Sequence, residues 1–267
     1  MSYKIGFIGG GNMATAILQG ILSAEITEAS HITVSDPSAE RRVFLDTLGV
    51  NTTAVNDLAV QNSDYIFLAI KPKHVEQVFE ELTVENMQGK VFISIVAGLS
   101  TQKLESYLPE EAQIVRVMPN TPALIQMGMS VISDDYTADD EQLATVKSLL
   151  ATVGEVAVVS ASLMDAVTAV SGSGPAYAYM FIDAMAMAGV RLGLTKETAL
   201  KLAVQTVKGS AAMIEQTGKH PAALKDMVCS PAGTTIEAVC ALEAAGFNAS
   251  IINAVCACAE KSKAMSK

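Results

Sequence analysis

Along the first 160 residues, short apolar runs alternate with amphipathic segments. The runs at 3–8, 32–35, 65–70, 91–95, 114–117, 129–133 and 156–159 are of strand length and read as strands, the first of them buried. Between them, 13–23, 39–48, 74–82 and 138–151 carry the spacing of helices packed on one face. Strands alternating with helices predict an α/β domain built on a doubly wound parallel sheet. Past residue 160 the strand signal stops. Helices are expected over 162–170, 175–192, 196–216, 221–228, 234–245 and 248–263, with Thr195 as an N-cap and Gly193 and Gly218 as stops. The pattern therefore divides the chain into an α/β domain, 1–160, and an all-α domain, 161–267. The stretch 175–216 is apolar on most sides, and a helix without a polar face has to be covered all round. In a half this small, that predicts burial against a second subunit.

Composition narrows the function classes. The formal net charge is −10, and no basic stripe is present to neutralise phosphates, which excludes nucleic acid as a partner. The mean hydropathy of +0.35 raises the question of a membrane. A spanning helix needs about 20 uninterrupted apolar residues, whereas charge-free stretches such as 166–182 are broken by Gly, Ser and Pro. No membrane partner is expected, and with no secretory pattern ahead of the first apolar run the expected location is the cytoplasm. Cys229, Cys240, Cys256 and Cys258 form no C-x-x-C pair, so they read as reduced, packed thiols rather than metal ligands.

The first run, ending at Ile8, leads into Gly9-Gly10-Gly11-Asn12-Met13-Ala14, a G-x-G-x-x-A pattern between a strand and a helix. Gly9 permits the tight turn, Gly11 lets a pyrophosphate approach the backbone, and Ala14 keeps helix and sheet close. The anion would rest on the N–H groups of Asn12 and Met13 at the helix start. This predicts a Rossmann-type nucleotide site. Asp36, ending the second strand, would bind a ribose diol and repel a 2′-phosphate. Ser35 or Ser38 with Arg41 or Arg42 would instead hold a 2′-phosphate, although the arginines also read as a solvated helix face. NADPH is the expected cofactor, with NADH as the alternative. Ligands bind beyond the carboxyl ends of strands, which brings in Ala69, Ile70, Lys71 and Pro72 after one strand and Ala97 and Gly98 after the next. Asn56 is expected near the adenosine end.

Four segments together carry a family signature: GFIGGGNMA at 6–14, RVMPNTPA at 116–123, SGSGPAY at 171–177 and CSPAGTTIE at 229–237. The chain resembles the pyrroline-5-carboxylate reductases along essentially its whole length. One departure stands out: the family has two glycines before the threonines, and here the first is Ala232. The resemblance implies reduction of 1-pyrroline-5-carboxylate to L-proline, hydride passing from the nicotinamide to the ring carbon of the C=N bond. It also implies a Rossmann domain followed by a helical dimerisation domain, a homodimer, and a larger ring of dimers. Thr235 is the residue the resemblance assigns to the ring nitrogen.

A cyclic imine accepts hydride best when protonated, so the site must hold the carboxylate, place the ring and retain a proton. Ser230, Gly233 and the backbone N–H of Thr234 suit a carboxylate, since the loop precedes a helix; the same residues also read as helix caps. Lys71 is a candidate for orienting substrate or nicotinamide, or for donating a proton, and solvent is the other donor. His31, His74 and His220 read as structural. Asp165 and Asp183 read as satisfied charges or as partners at a subunit interface. The 171–175 segment reads as an active-site wall, a dimer contact or a helix corner. A β-hydroxyacid dehydrogenase would need a lysine on the long helix, and 172–193 contains none. A non-catalytic nucleotide sensor would have no use for the 230–235 loop.

Overall fold

The computed structural model describes residues 3–265. Residues 1, 2, 266 and 267, which the sequence reading assigns to the two domains, lie outside the described residues. Among the described residues eight strands form one sheet: β1 (Ile5–Ile8), β2 (Ile32–Ser35), β3 (Asn51–Thr53), β4 (Tyr65–Leu68), β5 (Val91–Ser94), β6 (Gln113–Met118), β7 (Gly128–Ser133) and β8 (Gly154–Val159). Their order is β3-β2-β1-β4-β5-β6-β7-β8. The chain leaves β1 toward β2 and β3 on one side, then returns to β4 on the other. That reversal creates a crevice at the carboxyl ends of β1 and β4, the general location of ligands in such sheets.

Strand alternation explains why helices cover both faces. Ile5, Phe7, Phe67 and Ile93 point into one apolar layer, and Ile8, Ile66, Leu68 and Phe92 into the other. Side chains on a strand take opposite faces in turn, so two cores follow from one set of apolar runs. Phe7 and Phe67 stack with ring centroids 4.8 Å apart. The first layer is completed by α1 (Asn12–Ser23), α2 (Ala39–Asp46) and α7 (Asp140–Ala151), through Ile17, Leu45 and Leu149. The second is completed by α3 (Asn56–Gln61), α4 (Val75–Glu80), α5 (Val84–Met87) and α6 (Thr101–Glu105), through Val60, Phe79, Met87 and Leu104.

Three features depart from the sequence reading. The edge strand β3 is not foreseen, because its three polar residues show no apolar alternation. Helices α3, α5 and α6 are too short for a helical period to register. The sheet is not wholly parallel either: β7 runs antiparallel to β6. A parallel crossover takes a dozen or more residues, and the linker between Met118 and Gly128, folded as a 3-10 turn at Thr121–Ile125, is shorter than that.

The RVMPNTPA segment builds this corner. Asn120 accepts from the Met129 N–H at 2.8 Å and donates to the Ser171 carbonyl at 3.1 Å. The expected helix over 162–170 is broken: a 3-10 turn Ala161–Leu163, α8 (Met164–Val167), then a π-helical turn Thr168–Gly172. Thr168 and Ser171 hydroxyls donate back to the Met164 and Val167 carbonyls, the kind of contact that loosens a regular helix. Burial pushes the Arg116 guanidinium below its usual value, while the Asp135 and Asp165 carboxylates resist the change. Asp165 also accepts from the Ser262 hydroxyl at 2.6 Å.

The chain divides into two compact units, Met1–Gly172 with Cys258–Lys267, and Ser173–Ala257. The second holds α9 (Gly174–Arg191), α10 (Lys196–Thr217), α11 (Pro221–Val228), α12 (Thr234–Ala244) and the start of α13 (Phe247–Met265). Thr195 caps α10 by accepting from Thr198 N–H, and Gly218 ends it with φ 62°. Inside this unit the buried cluster is only Ala186, Ala199 and Ala203. Met180, Met187, Leu192 and Leu202 stand exposed. Helices α9 and α10 approach closely because the contact is Gly189 against Ala199. Among the described residues no single helix is long and apolar enough to cross a membrane.

Candidate functional site

Three strand ends converge on the glycine turn. Gly9 follows β1 with φ +95°, a conformation L side chains rarely adopt, and a Cβ there would lie 2.5 Å from the Ala69 carbonyl oxygen. Its N–H donates to the Ser35 carbonyl at 2.8 Å, and Ala69 N–H donates to the Ile8 carbonyl at 2.9 Å. So Gly9 is required by the protein itself. Gly11 is different: a Cβ there meets nothing within 4 Å. Gly11 is also the N-cap of α1 and supplies no side-chain cap. The first N–H groups of that helix, at Asn12 and Met13, are left for an outside acceptor, and the bare Cα leaves room for it.

An open cleft of about 420 Å³ starts at this turn. Of the residues expected to bind a cofactor, Ile8, Gly9, Gly11, Asp36, Asn56, Ala69, Ile70 and Lys71 line it. Asn12, Met13, Ser35, Pro72, Ala97 and Gly98 do not. Met13 packs against the core of the sheet. Pro72 starts an exposed 3-10 turn, Pro72–His74, and Ala97 and Gly98 form the turn after β5. His74, Gln77 and Glu81 also line the cleft, and the sequence reading did not find them. His74 was expected on a surface helix; it sits instead in the short turn that brings it to the cleft wall. The available signal was position: all three follow β4, whose carboxyl end borders the crevice.

The residues around Asp36 are tied down. Gly10 N–H donates to Asp36 Oδ2 and Ser38 N–H to Asp36 Oδ1, both at 2.9 Å. Ser38 Oγ accepts from Arg41 N–H and caps α2. Arg41 folds back to donate to the Gly10 carbonyl and the Thr15 hydroxyl. Arg42 donates to the Asp36 and Pro37 carbonyls at 2.6 and 3.0 Å. The arginines are therefore not a free solvated face; they brace the turn. Ser35 was offered to a 2′-phosphate, and here the fold turns it inward. It is fully buried, with its hydroxyl 2.7 Å from Asn56 Oδ1 and 3.2 Å from the Phe7 carbonyl.

In the helical unit, the Ser230–Gly233 turn closes through a Gly233 N–H to Ser230 carbonyl bond of 3.0 Å. Pro231 takes its second position and Ala232, at φ +52°, its third. Proline followed by a positive φ is the type II pattern, which favours glycine at the third position. That explains the glycine the family carries where this chain has Ala232. Gly233 lies close to Ser230: a Cβ there would lie 2.2 Å from Ser230 Oγ, which has to rotate aside, and 3.1 Å from the Ser230 carbonyl oxygen. Thr234 and Thr235 then open α12, whose N-cap Gly233 gives no side-chain cap. Thr235 is half-buried, while Ser230 and Thr234 are exposed. His220 Nδ1 accepts from Ala222 N–H and caps α11.

Residues 161–265 match the family model for pyrroline-5-carboxylate reductase dimerisation, and residues 4–98 match the one described as NADP oxidoreductase coenzyme F420-dependent. The pyrroline-5-carboxylate reductase of Escherichia coli (strain K12) is 42% identical over 268 residues, covering 100% of both chains. The chain belongs to the pyrroline-5-carboxylate reductase family. A solved pyrroline-5-carboxylate reductase from Coxiella burnetii superposes with a TM-score of 0.93 at 35% identity, covering 100% of both chains. A Plasmodium falciparum pyrroline carboxylate reductase, solved with NADP bound, gives a TM-score of 0.90 at 34% identity, covering 99% of this chain and 98% of that one. The family is one of nicotinamide-dependent oxidoreductases.

Two outcomes follow. Gly11→Ala leaves the melting temperature close to that of the wild type, because the added Cβ meets nothing within 4 Å, but weakens NADPH binding about tenfold or more, read by fluorescence titration. Ala232→Gly relieves a left-handed alanine and stabilises the fold by about 1 kcal/mol, seen as a rise of a few degrees in a thermal melt.

Proposed function

We propose that this chain reduces 1-pyrroline-5-carboxylate to L-proline with a nicotinamide cofactor, as the last step of proline biosynthesis. The observation that carries this reading is the end-to-end identity of 42% with a pyrroline-5-carboxylate reductase, in a chain that keeps both the glycine turn and the 230–235 loop. We assign residues 1–160 to nucleotide binding and 161–267 to dimerisation and substrate binding. The homodimer assembles further into a ring of dimers in the cytoplasm. The shortage of buried apolar residues in the helical unit supports association.

In this reading the backbone of Gly9, Gly11, Asn12 and Met13 holds the cofactor diphosphate. Asp36, Asn56 and Ser35 serve the adenosine ribose, Ser35 by holding Asn56. Ile8, Ala69, Ile70, Lys71, Pro72, Ala97 and Gly98 serve the nicotinamide side. The bound cofactor supplies hydride to the ring carbon of the imine. Ser230, Gly233 and Thr234 hold the substrate carboxylate through a hydroxyl and backbone N–H groups. Thr235 hydrogen-bonds the ring nitrogen, which keeps its proton as the C=N bond becomes an amine. Lys71 orients the ring, and the proton on the nitrogen comes from solvent or from Lys71. NADPH is preferred to NADH: Arg41 and Arg42 put two cations beside Asp36, and the Plasmodium falciparum relative carries NADP in its structure.

Initial rates of NADPH and NADH oxidation on adding 1-pyrroline-5-carboxylate test this. Turnover is expected with both and faster with NADPH, and Thr235→Ala lowers kcat/KM about tenfold or more, the worth of a hydrogen bond to a charged group. Protein that binds nucleotide but consumes none with this substrate contradicts the reading.

A further inference from the structure

The cleft contains a hydrogen-bond chain that the reduction does not use. Glu81, on its rim, accepts from Asn56 Nδ2 at 2.6 Å and from Gln77 Nε2 at 3.2 Å. Asn56 Oδ1 in turn faces the Ser35 hydroxyl at 2.7 Å. Four residues meet here: Ser35 ends β2, Asn56 starts α3, Gln77 lies in α4 and Glu81 follows it.

The donor and acceptor types make the chain directional. A hydroxyl both donates and accepts, so Ser35 tolerates either orientation of the Asn56 amide. An ionised carboxylate only accepts, so Glu81 does not. It holds the amide nitrogen toward itself and the amide oxygen toward Ser35. The oxygen is then engaged inside the fold, and the nitrogen has a second N–H beyond the one Glu81 takes, on a residue that lines the cleft. Glu81 thus decides that Asn56 shows the cleft a donor.

We propose that Glu81 is a positioning residue for cofactor choice: by fixing the Asn56 amide it favours a ligand group that can only accept, such as a 2′-phosphate, over a hydroxyl that adapts to either partner. This rests on the reading that the cleft takes the adenosine end of a nicotinamide cofactor. A second effect of Glu81 works in the other direction, since its negative charge repels a phosphate. Glu81 is exposed, so water and salt screen that charge, whereas its inability to donate does not depend on exposure. The orientation effect therefore wins.

The test measures kcat and KM for NADPH and NADH in the wild type, Glu81→Gln, Asn56→Ala and the double variant, with thermal melts to confirm folding. A glutamine of the same shape donates or accepts, so the amide is no longer fixed. The expected result is a fall in the NADPH-to-NADH ratio of kcat/KM by about three- to tenfold, one hydrogen bond's worth, expressed in KM for NADPH. In the Asn56→Ala background the glutamine should change the ratio no further, because the effect runs through Asn56. A ratio that rises in Glu81→Gln means charge repulsion governs and overturns the proposal. So does an unchanged ratio, or an equal shift in both backgrounds. If the wild type binds neither nucleotide, it is the cofactor reading of the cleft that fails, an outcome separate from the others.

Discussion

The close approach of Gly9 to Ala69 is the constraint on which the rest of this structure depends. With a Cβ at Gly9, β1 and β4 could not both end where they do, since the new atom would lie 2.5 Å from a backbone oxygen that cannot move aside. Because those strands end there, the crevice between them opens at the glycine turn, and α1 starts with its N–H groups facing it. Asp36 and Arg41 then lock the turn from the side, one as an acceptor for Gly10 and the other as a donor to its carbonyl. Side chains that look like cofactor ligands in the sequence are thus partly the scaffolding of the turn. What the scaffolding leaves open at the turn is the bare Cα of Gly11.

The helical unit meets a different constraint. Its buried cluster is three alanines, and small contacts let helices approach but remove little apolar surface from water. Long Met and Leu side chains remain on the outside. The family model for this region is one of dimerisation, and the exposed apolar side chains are consistent with it. The Ser230–Gly233 turn carries another cost. Ala232 holds a left-handed conformation, φ +52°, that glycine would adopt freely, so this chain keeps the turn under mild strain.

Much of this was legible in the sequence, for identifiable reasons. Apolar runs located seven of the strands: six are largely buried, and β8, at the sheet edge, carries an apolar run although it is only partly buried; the glycine pattern located the turn because Gly9 and Gly11 have separate physical duties. The edge strand at Asn51–Thr53 was hidden because a polar edge has no alternation to read. The reversal at β7 was hidden because direction depends on linker length and on Asn120, not on hydrophobicity. In the cleft, Lys71 and Asn56 were legible from strand ends, while Glu81 and Gln77 were not. They are exposed polar residues near a short helix, and only the fold shows that they meet Asn56. Ser35 was read as facing a phosphate, and burial turned it to the protein instead.

The central claim is that this chain moves a hydride from a nicotinamide to the imine carbon of 1-pyrroline-5-carboxylate. The most direct measurement supplies NADPH deuterated at the transferring C4 position and analyses the product by chiral chromatography and mass spectrometry. L-proline with one deuterium at C5 for each cofactor oxidised is the expected product. Cofactor oxidation without deuterated proline, or proline labelled at another carbon, would contradict the claim.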